Sequence, residues 1–212
     1  MLNTIVLKIN PENPENNILA IASFMLKLGE VIVFPTDTVY GLGANPFNEM
    51  SVLKVYEIKG REFNKPLPIL VSNINTAMKL GVFDERALKL ARKFWPGSLT
   101  IVVRRKMGIA SLALGGQDKI ALRMPNHKVA LKLAESLGGA IVGTSANVSG
   151  LKAAKTANEA KEMLGSRVKL ILDAGPSPKK VPSTIVDVTV KPFKIIRLGP
   201  VNIEEIEKVI GE

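Results

Sequence analysis

The chain has 212 residues, of which 46% are hydrophobic and 23% charged, enough to bury a proper core without crosslinks. With no cysteine and one histidine, His127, it has no disulfide, thiolate nucleophile or cysteine-bound zinc, and a histidine metal site or Ser-His-Asp triad would rest on that single residue. The formal charge of +10 creates a field that attracts nucleic acid, nucleotides or acidic headgroups, without choosing among them.

Strand and helix signals alternate along the chain. Residues 4–9 read as a strand. Asn13-Pro14-Glu15 then offers a helix cap, a proline at the first helical position and an early acid, and Gly29 closes the helix. The run Val31–Phe34 is a strand ending at Pro35, and 48–59 is a helix with Gly60 at its end. Strands follow at 67–71 and 99–103, with a helix between them capped by Asp84 and stopped before Pro96-Gly97. Further strands are expected at 120–123, 140–143, 170–173, 184–188 and 193–198. Helices fill 126–137 and the stretch after Thr156, where Thr156 and Glu159 spell a capping box. Asn202 and Glu205 open a last short helix. The expectation is a single α/β domain over residues 1–212, with eight or nine strands in a twisted mixed sheet.

The N-terminal Met1–Thr4 lacks the basic start of a secretory signal. The longest apolar run, 18–26, is too short for a bilayer core of ~30 Å. A cytoplasmic protein with no membrane partner is expected.

There is no P-loop, dinucleotide fingerprint, zinc-protease motif or serine elbow. Three segments carry candidate chemistry. Phe34-Pro35-Thr36-Asp37-Thr38-Val39-Tyr40-Gly41 runs from a strand into a hydroxyl-rich turn, where the side chains either bond a polar substrate or cap the turn itself. Lys59-Gly60-Arg61-Glu62-Phe63-Asn64-Lys65-Pro66 places three cations within seven residues just after a helix, as an anion site or as helix capping. Gly143-Thr144-Ser145-Ala146-Asn147-Val148-Ser149-Gly150 follows a buried strand with small donors suited to phosphate. Arg123 and Arg197 at strand ends read, by themselves, as solvated charges, and His127 as an exposed helix residue.

Together these segments resemble the threonylcarbamoyl-AMP synthase family, whose domain is called YrdC-like. The likeness spans about Val31 to Val201. It includes FPTDTVYGLG, Lys59-x-Arg61 with Lys65-Pro66, Ser145-x-Asn147 with Ser149-Gly150, Pro182-Ser183-Thr184-Ile185-Val186-Asp187, and Arg197-x-Gly199. The resemblance implies a concave basic α/β domain that makes L-threonylcarbamoyl-AMP and pyrophosphate from L-threonine, bicarbonate and ATP with Mg2+. A tRNA threonylcarbamoyl transferase would then act downstream, on adenosine 37 of tRNA. Thr36, Pro68, Arg123 and Ser183 would bind threonine. Lys59, Phe63, Lys119, Gly143, Ser145, Asn147 and Arg197 would bind ATP, with Lys59 and Arg61 catalytic. No protein metal site is implied. The chain resembles the family's single-domain form, and Leu151-Lys152-Ala153 departs from the prolines found there. The rival expectation is a non-enzymatic protein that holds structured RNA, tRNA included, on its basic face.

Overall fold

In the computed structural model the described residues are 4–106 and 108–211. The expected domain and the N-terminal reading extend to residues 1–3, 107 and 212, which lie outside them. The strands form two mixed sheets joined at a corner. The five-stranded sheet runs β1 (Ile5–Lys8), β10 (Leu170–Asp173), β2 (Ile32–Phe34), β3 (Gly41–Gly43), β9 (Thr144–Ser145). The seven-stranded sheet runs β12 (Lys194–Arg197), β11 (Thr184–Asp187), β6 (Leu99–Arg105), β7 (Lys119–Arg123), β4 (Ile69–Val71), β8 (Ala140–Val142), with β5 (Gly81–Val82) beside β6. All nine expected strands form. The added ones, β3, β5 and β9, are two or three residues long, and their sequences are too glycine-rich or polar to read as strands.

Several strands are buried on both faces, which explains their continuous apolar runs. In β2, Val33 enters one core while Ile32 and Phe34 enter the other. The helices α1 (Asn16–Lys27) and α5 (Lys128–Ser136) cover the smaller core through Leu19, Leu26, Val129 and Leu133. The larger core takes α2 (Glu49–Lys59), α4 (Glu85–Phe94), α6 (Ala157–Leu164) and α7 (Ile203–Ile210), with Trp95 in it as core. The remaining helix, α3 (Ile74–Leu80), was not expected; it is short and opens on an Asn73 cap.

Two expected caps differ. The first helix starts at Asn16 rather than at Asn13-Pro14, because the Glu15 carboxylate accepts from Asn10 N at 2.9 Å and holds the preceding residues in a turn. At α6 only half of the capping box forms. Thr156 accepts from Glu159 N, but Glu159 Oε2 takes Lys155 N at 2.7 Å instead of the cap residue's own N–H. The box at α7 is complete in both directions.

The corner is made at Gly143. This residue links β8 of one sheet to β9 of the other, and its N–H donates to Pro68 O at 2.9 Å. A Cβ there would sit 2.3 Å from Leu70 Cγ, so only glycine lets the chain cross between sheets at this point. A second close approach holds β12 against β11: a Cβ on Gly199 would stand 2.3 Å from Pro182 O. Gly199→Ala is therefore expected to push the end of β12 away from Ser183 and to lower stability by about 1–3 kcal/mol, read by urea unfolding. A variant as stable as the parent would show that this crossing can relax.

Candidate active site

A cavity of about 380 Å³ opens where the two sheets meet, a size suited to a small organic ligand. Alternate residues of three neighbouring strands face it, as the two-residue period of a strand requires. These are Thr100 and Val102 of β6, Lys119, Ala121 and Arg123 of β7, and Ile185 and Asp187 of β11. The Thr36–Gly41 turn, the Arg61–Pro68 loop and Gly143–Ser145 close the sides. Arg61, Lys65, Lys119, Arg123 and Arg197 stand on its wall against one carboxylate, Asp187, so the cavity carries net positive charge.

Arg123 is the deepest of these cations, and it is not the solvated charge that a lone strand-end arginine suggests. It is 5% exposed and forms a buried ion pair with Asp37, which is equally buried. Its Nε donates to Gly97 O at 2.8 Å, Nη1 to Thr38 Oγ1 at 2.9 Å and Nη2 to Asp37 Oδ1. A guanidinium has five N–H groups. Three are used among the described residues in holding it still, which leaves one N–H on Nη1 and one on Nη2, donors of the kind a planar carboxylate accepts from. Burial lowers the guanidinium's pKa and Asp37 opposes that shift.

Thr36 supports this group from the turn. Its Oγ1 donates to Val39 O at 2.6 Å, accepts from Thr38 N at 3.1 Å and lies 3.0 Å from Thr38 Oγ1. The capping reading of this turn is therefore met, and Thr36 and Thr38 also line the cavity. On the opposite side, Arg197 Nε and Nη2 donate to Ser183 O at 3.0 and 2.8 Å, and Nη2 reaches Ser183 Oγ at 3.2 Å. Burial, and then the neighbouring Arg123 and Arg61, lower the pKa of Arg197, as like charges around one cavity should.

Of the expected site residues, Thr36, Arg61, Pro68, Lys119, Arg123, Gly143, Ser145, Ser183 and Arg197 all line this cavity. Lys59, Phe63 and Asn147 stand off its wall. Lys59 is 2% exposed, and its Nζ donates to Ser145 O at 2.6 Å, Asn147 O at 2.9 Å and Asn147 Oδ1 at 3.0 Å. An ammonium has three protons, so none is left to grip a phosphate in this arrangement. Lys59 instead ties the end of α2 to the 145–147 loop. Ser149 N closes the tie by donating to Lys59 O at 2.8 Å. Asn147 serves the same loop, accepting from Ser145 Oγ at 2.6 Å and donating to Leu151 O at 2.6 Å. Phe63 is half-exposed and tilts against Tyr56. His127 is partly buried, with Nδ1 unpartnered.

Arg61 donates Nε to Lys65 O and Nη2 to Pro66 O, which shapes its own loop and leaves the rest of the guanidinium on the cavity wall. Lys119 Nζ is paired with Asp187 Oδ2 at 3.0 Å. Burial pushes the Asp187 carboxyl up, but the Thr189 hydroxyl and amide together with Lys119 hold it below its usual value. Thr100 and Gln117 also line the cavity and were not expected. Thr100 carried a signal: it is the one polar residue in the run Leu99-Thr100-Ile101-Val102-Val103.

These features define an α/β domain with a small, basic, hydroxyl-lined cavity that has a buried arginine, Arg123, on its wall. The chain belongs to the Sua5/YciO/YrdC family, described as "Telomere recombination", whose sequence model matches residues 25–199. It is 38% identical over 210 residues to the threonylcarbamoyl-AMP synthase of Pyrococcus abyssi, covering 99% of this chain and 62% of that protein. It is also 38% identical over 203 residues to a putative threonylcarbamoyl-AMP synthase of Mycobacterium tuberculosis, covering 95% of this chain and 93% of the relative. The crystal structure of P. abyssi Sua5 complexed with L-threonine superposes with a TM-score of 0.94 at 38% identity, over 99% of this chain and 62% of that one.

Two outcomes test this geometry. Asp37→Asn would leave a buried guanidinium without its counter-charge, at an expected cost of about 3–5 kcal/mol in urea unfolding. A cost near zero would mean that Arg123 is not held by this pair. The second concerns Lys59, whose pKa burial and the nearby Arg61 lower to about 7, from 10.5. Between those two values the unfolded chain binds more protons than the folded one, so stability contributed by this group rises with pH across that window and is flat below it. Relative to Lys59→Met, the parent protein should gain up to about 1 kcal/mol per pH unit above pH 7. A constant difference from pH 6 to 9.5 would show that the three acceptors keep the ammonium charged throughout.

Proposed function

We propose that this protein is an L-threonylcarbamoyl-AMP synthase: it joins L-threonine, bicarbonate and ATP to give L-threonylcarbamoyl-AMP and pyrophosphate. The observation that carries the reading is Arg123, a buried guanidinium on the wall of a small cavity with one N–H on each of Nη1 and Nη2 unused among the described residues, in a chain that aligns closely with a threonine-bound structure. Arg123 takes the threonine carboxylate. Thr36, Ser183 and Pro68 form the surrounding wall. Arg61 and Arg197 lie on the wall where the nucleotide phosphates would extend, and Ser145, Gly143 and Lys119 border the same space.

The reaction needs positioning and charge neutralisation more than acid–base chemistry. The threonine amine attacks the bicarbonate carbon, forming the N–C bond of a carbamate as a C–O bond breaks and water leaves. A carbamate oxygen attacks the α-phosphorus, the bond to the β,γ-diphosphate breaks, and pyrophosphate leaves with its electron pair. Arg61 and Arg197 offset the charge that builds up on the phosphate oxygens. Lys59 holds the Ser145–Asn147 loop against them and acts by positioning. Mg2+ would arrive on the ATP phosphates and add charge neutralisation there. Among the described residues no group of three or more His, Cys, Asp or Glu could hold a metal.

A cavity of this size does not suit an RNA surface, so the basic face is read as serving a small anionic substrate rather than structured RNA. The product would pass to a tRNA threonylcarbamoyl transferase in the cytoplasm. No helix among the described residues is long and apolar enough to cross a membrane.

Pyrophosphate release measured with ATP, bicarbonate and L-threonine tests the reading. Release should require all three, and Arg61→Ala and Arg123→Ala should each lower kcat/KM by at least ~100-fold, the effect of losing a buried charged contact. Release that proceeds equally well without threonine would overturn the assignment.

A further inference from the structure

One hydroxyl on the cavity wall is left unused by the roles above. Thr100 sits on β6 in register with Ile185 of β11, next to Ser183, and is 1% exposed. Its Oγ1 lies 2.8 Å from Ser183 Oγ, and that is its one described side-chain hydrogen bond. Ser183 Oγ also accepts from Arg197 Nη2.

The proton count of this group is fixed. A hydroxyl carries one proton and two acceptor positions, and an arginine only donates. Arg197 therefore fills one acceptor position on Ser183. Of the two hydroxyl protons, one is spent in the Thr100–Ser183 bond, whichever way it points. The other has no acceptor among the described residues, and both residues line the cavity. The pair thus keeps one unspent O–H donor in either orientation. If Thr100 loses its oxygen, the Ser183 hydroxyl loses the partner that fixes its rotor.

We propose that Thr100 is a positioning residue for the amino-acid substrate: with Ser183 it forms a two-hydroxyl unit that offers one donor to a substrate oxygen and links that end of the cavity to Arg197. This rests on the threonine-activating reading of the site. The bland alternative is a threonine whose methyl group packs and whose hydroxyl is merely satisfied. The two differ in what Thr100→Val does, since valine keeps the branched shape and removes only the oxygen's chemistry.

The test is calorimetric titration of L-threonine into the full protein, with threonine KM and kcat measured alongside. Thr100→Val should weaken threonine binding and raise its KM about three- to tenfold, the worth of one neutral hydrogen bond, with a smaller change in kcat. Thr100→Ser, which keeps the hydroxyl, should return both to within about twofold. Should the valine variant fail to fold, Thr100→Cys makes the same comparison with a weak S–H donor of similar size. Wild-type threonine affinity in Thr100→Val would overturn the proposal, and so would a Thr100→Ser variant as weak as the valine one. If the parent protein binds threonine but releases no pyrophosphate, the activity reading fails while the binding comparison still decides the role of Thr100. If the parent binds no threonine, both fall.

Discussion

The buried pair Asp37–Arg123 is the constraint on which the rest of the site depends. A guanidinium 5% exposed is costly to hold unless its charge and N–H groups are met. Here the turn after β2 supplies Asp37 and Thr38, and the segment before β6 supplies Gly97 O. Two parts of the chain far apart in sequence are thereby fixed around one side chain. Ser98 Oγ then donates to Asp37 Oδ2 at 3.2 Å, and Lys179 Nζ donates to Ser98 Oγ at 2.7 Å, so the loop before β11 is tied into the same network. What the protein gains for burying this charge is a guanidinium held in one place on the cavity wall.

The second anchor works differently. Lys59 is an ammonium used as a bracket: its three protons hold the Ser145–Asn147 loop to the end of α2. Arg61, two residues on, stands on the cavity wall because Gly60 takes the left-handed conformation, with φ of 57°. One basic segment therefore divides its labour. The lysine faces inward and shapes a loop, while the arginine faces the space that a phosphate would fill. The corner at Gly143 brings that loop within reach of the Arg123 end, so the two anchors act on one cavity.

Much of this was legible in the sequence. The apolar runs 31–34, 140–143 and 170–173 announced strands because they are buried on both faces, and the caps at Asp84 and Asn202 marked helix starts that the structure realises. The three segments singled out for their hydroxyls and cations all reach the site. What could not be read was burial and direction. Lys59 and Arg61 look alike as neighbouring cations, and only tertiary packing sends one inside. Arg123 at a strand end reads as a surface charge until Asp37, eighty-odd residues away, is found beside it. Strands of two or three residues such as β5 and β9 exist only because a neighbouring strand pairs with them, so no local pattern announces them.

The central claim is that the two spare N–H groups of Arg123 receive the carboxylate of an amino acid. Calorimetric titration of the full protein with L-threonine and with L-threoninol, which lacks only the carboxylate, measures this directly. The account predicts that L-threonine binds and that L-threoninol binds at least ~10-fold more weakly, since its loss removes a charge-assisted forked contact. Equal affinity for the two compounds would contradict it.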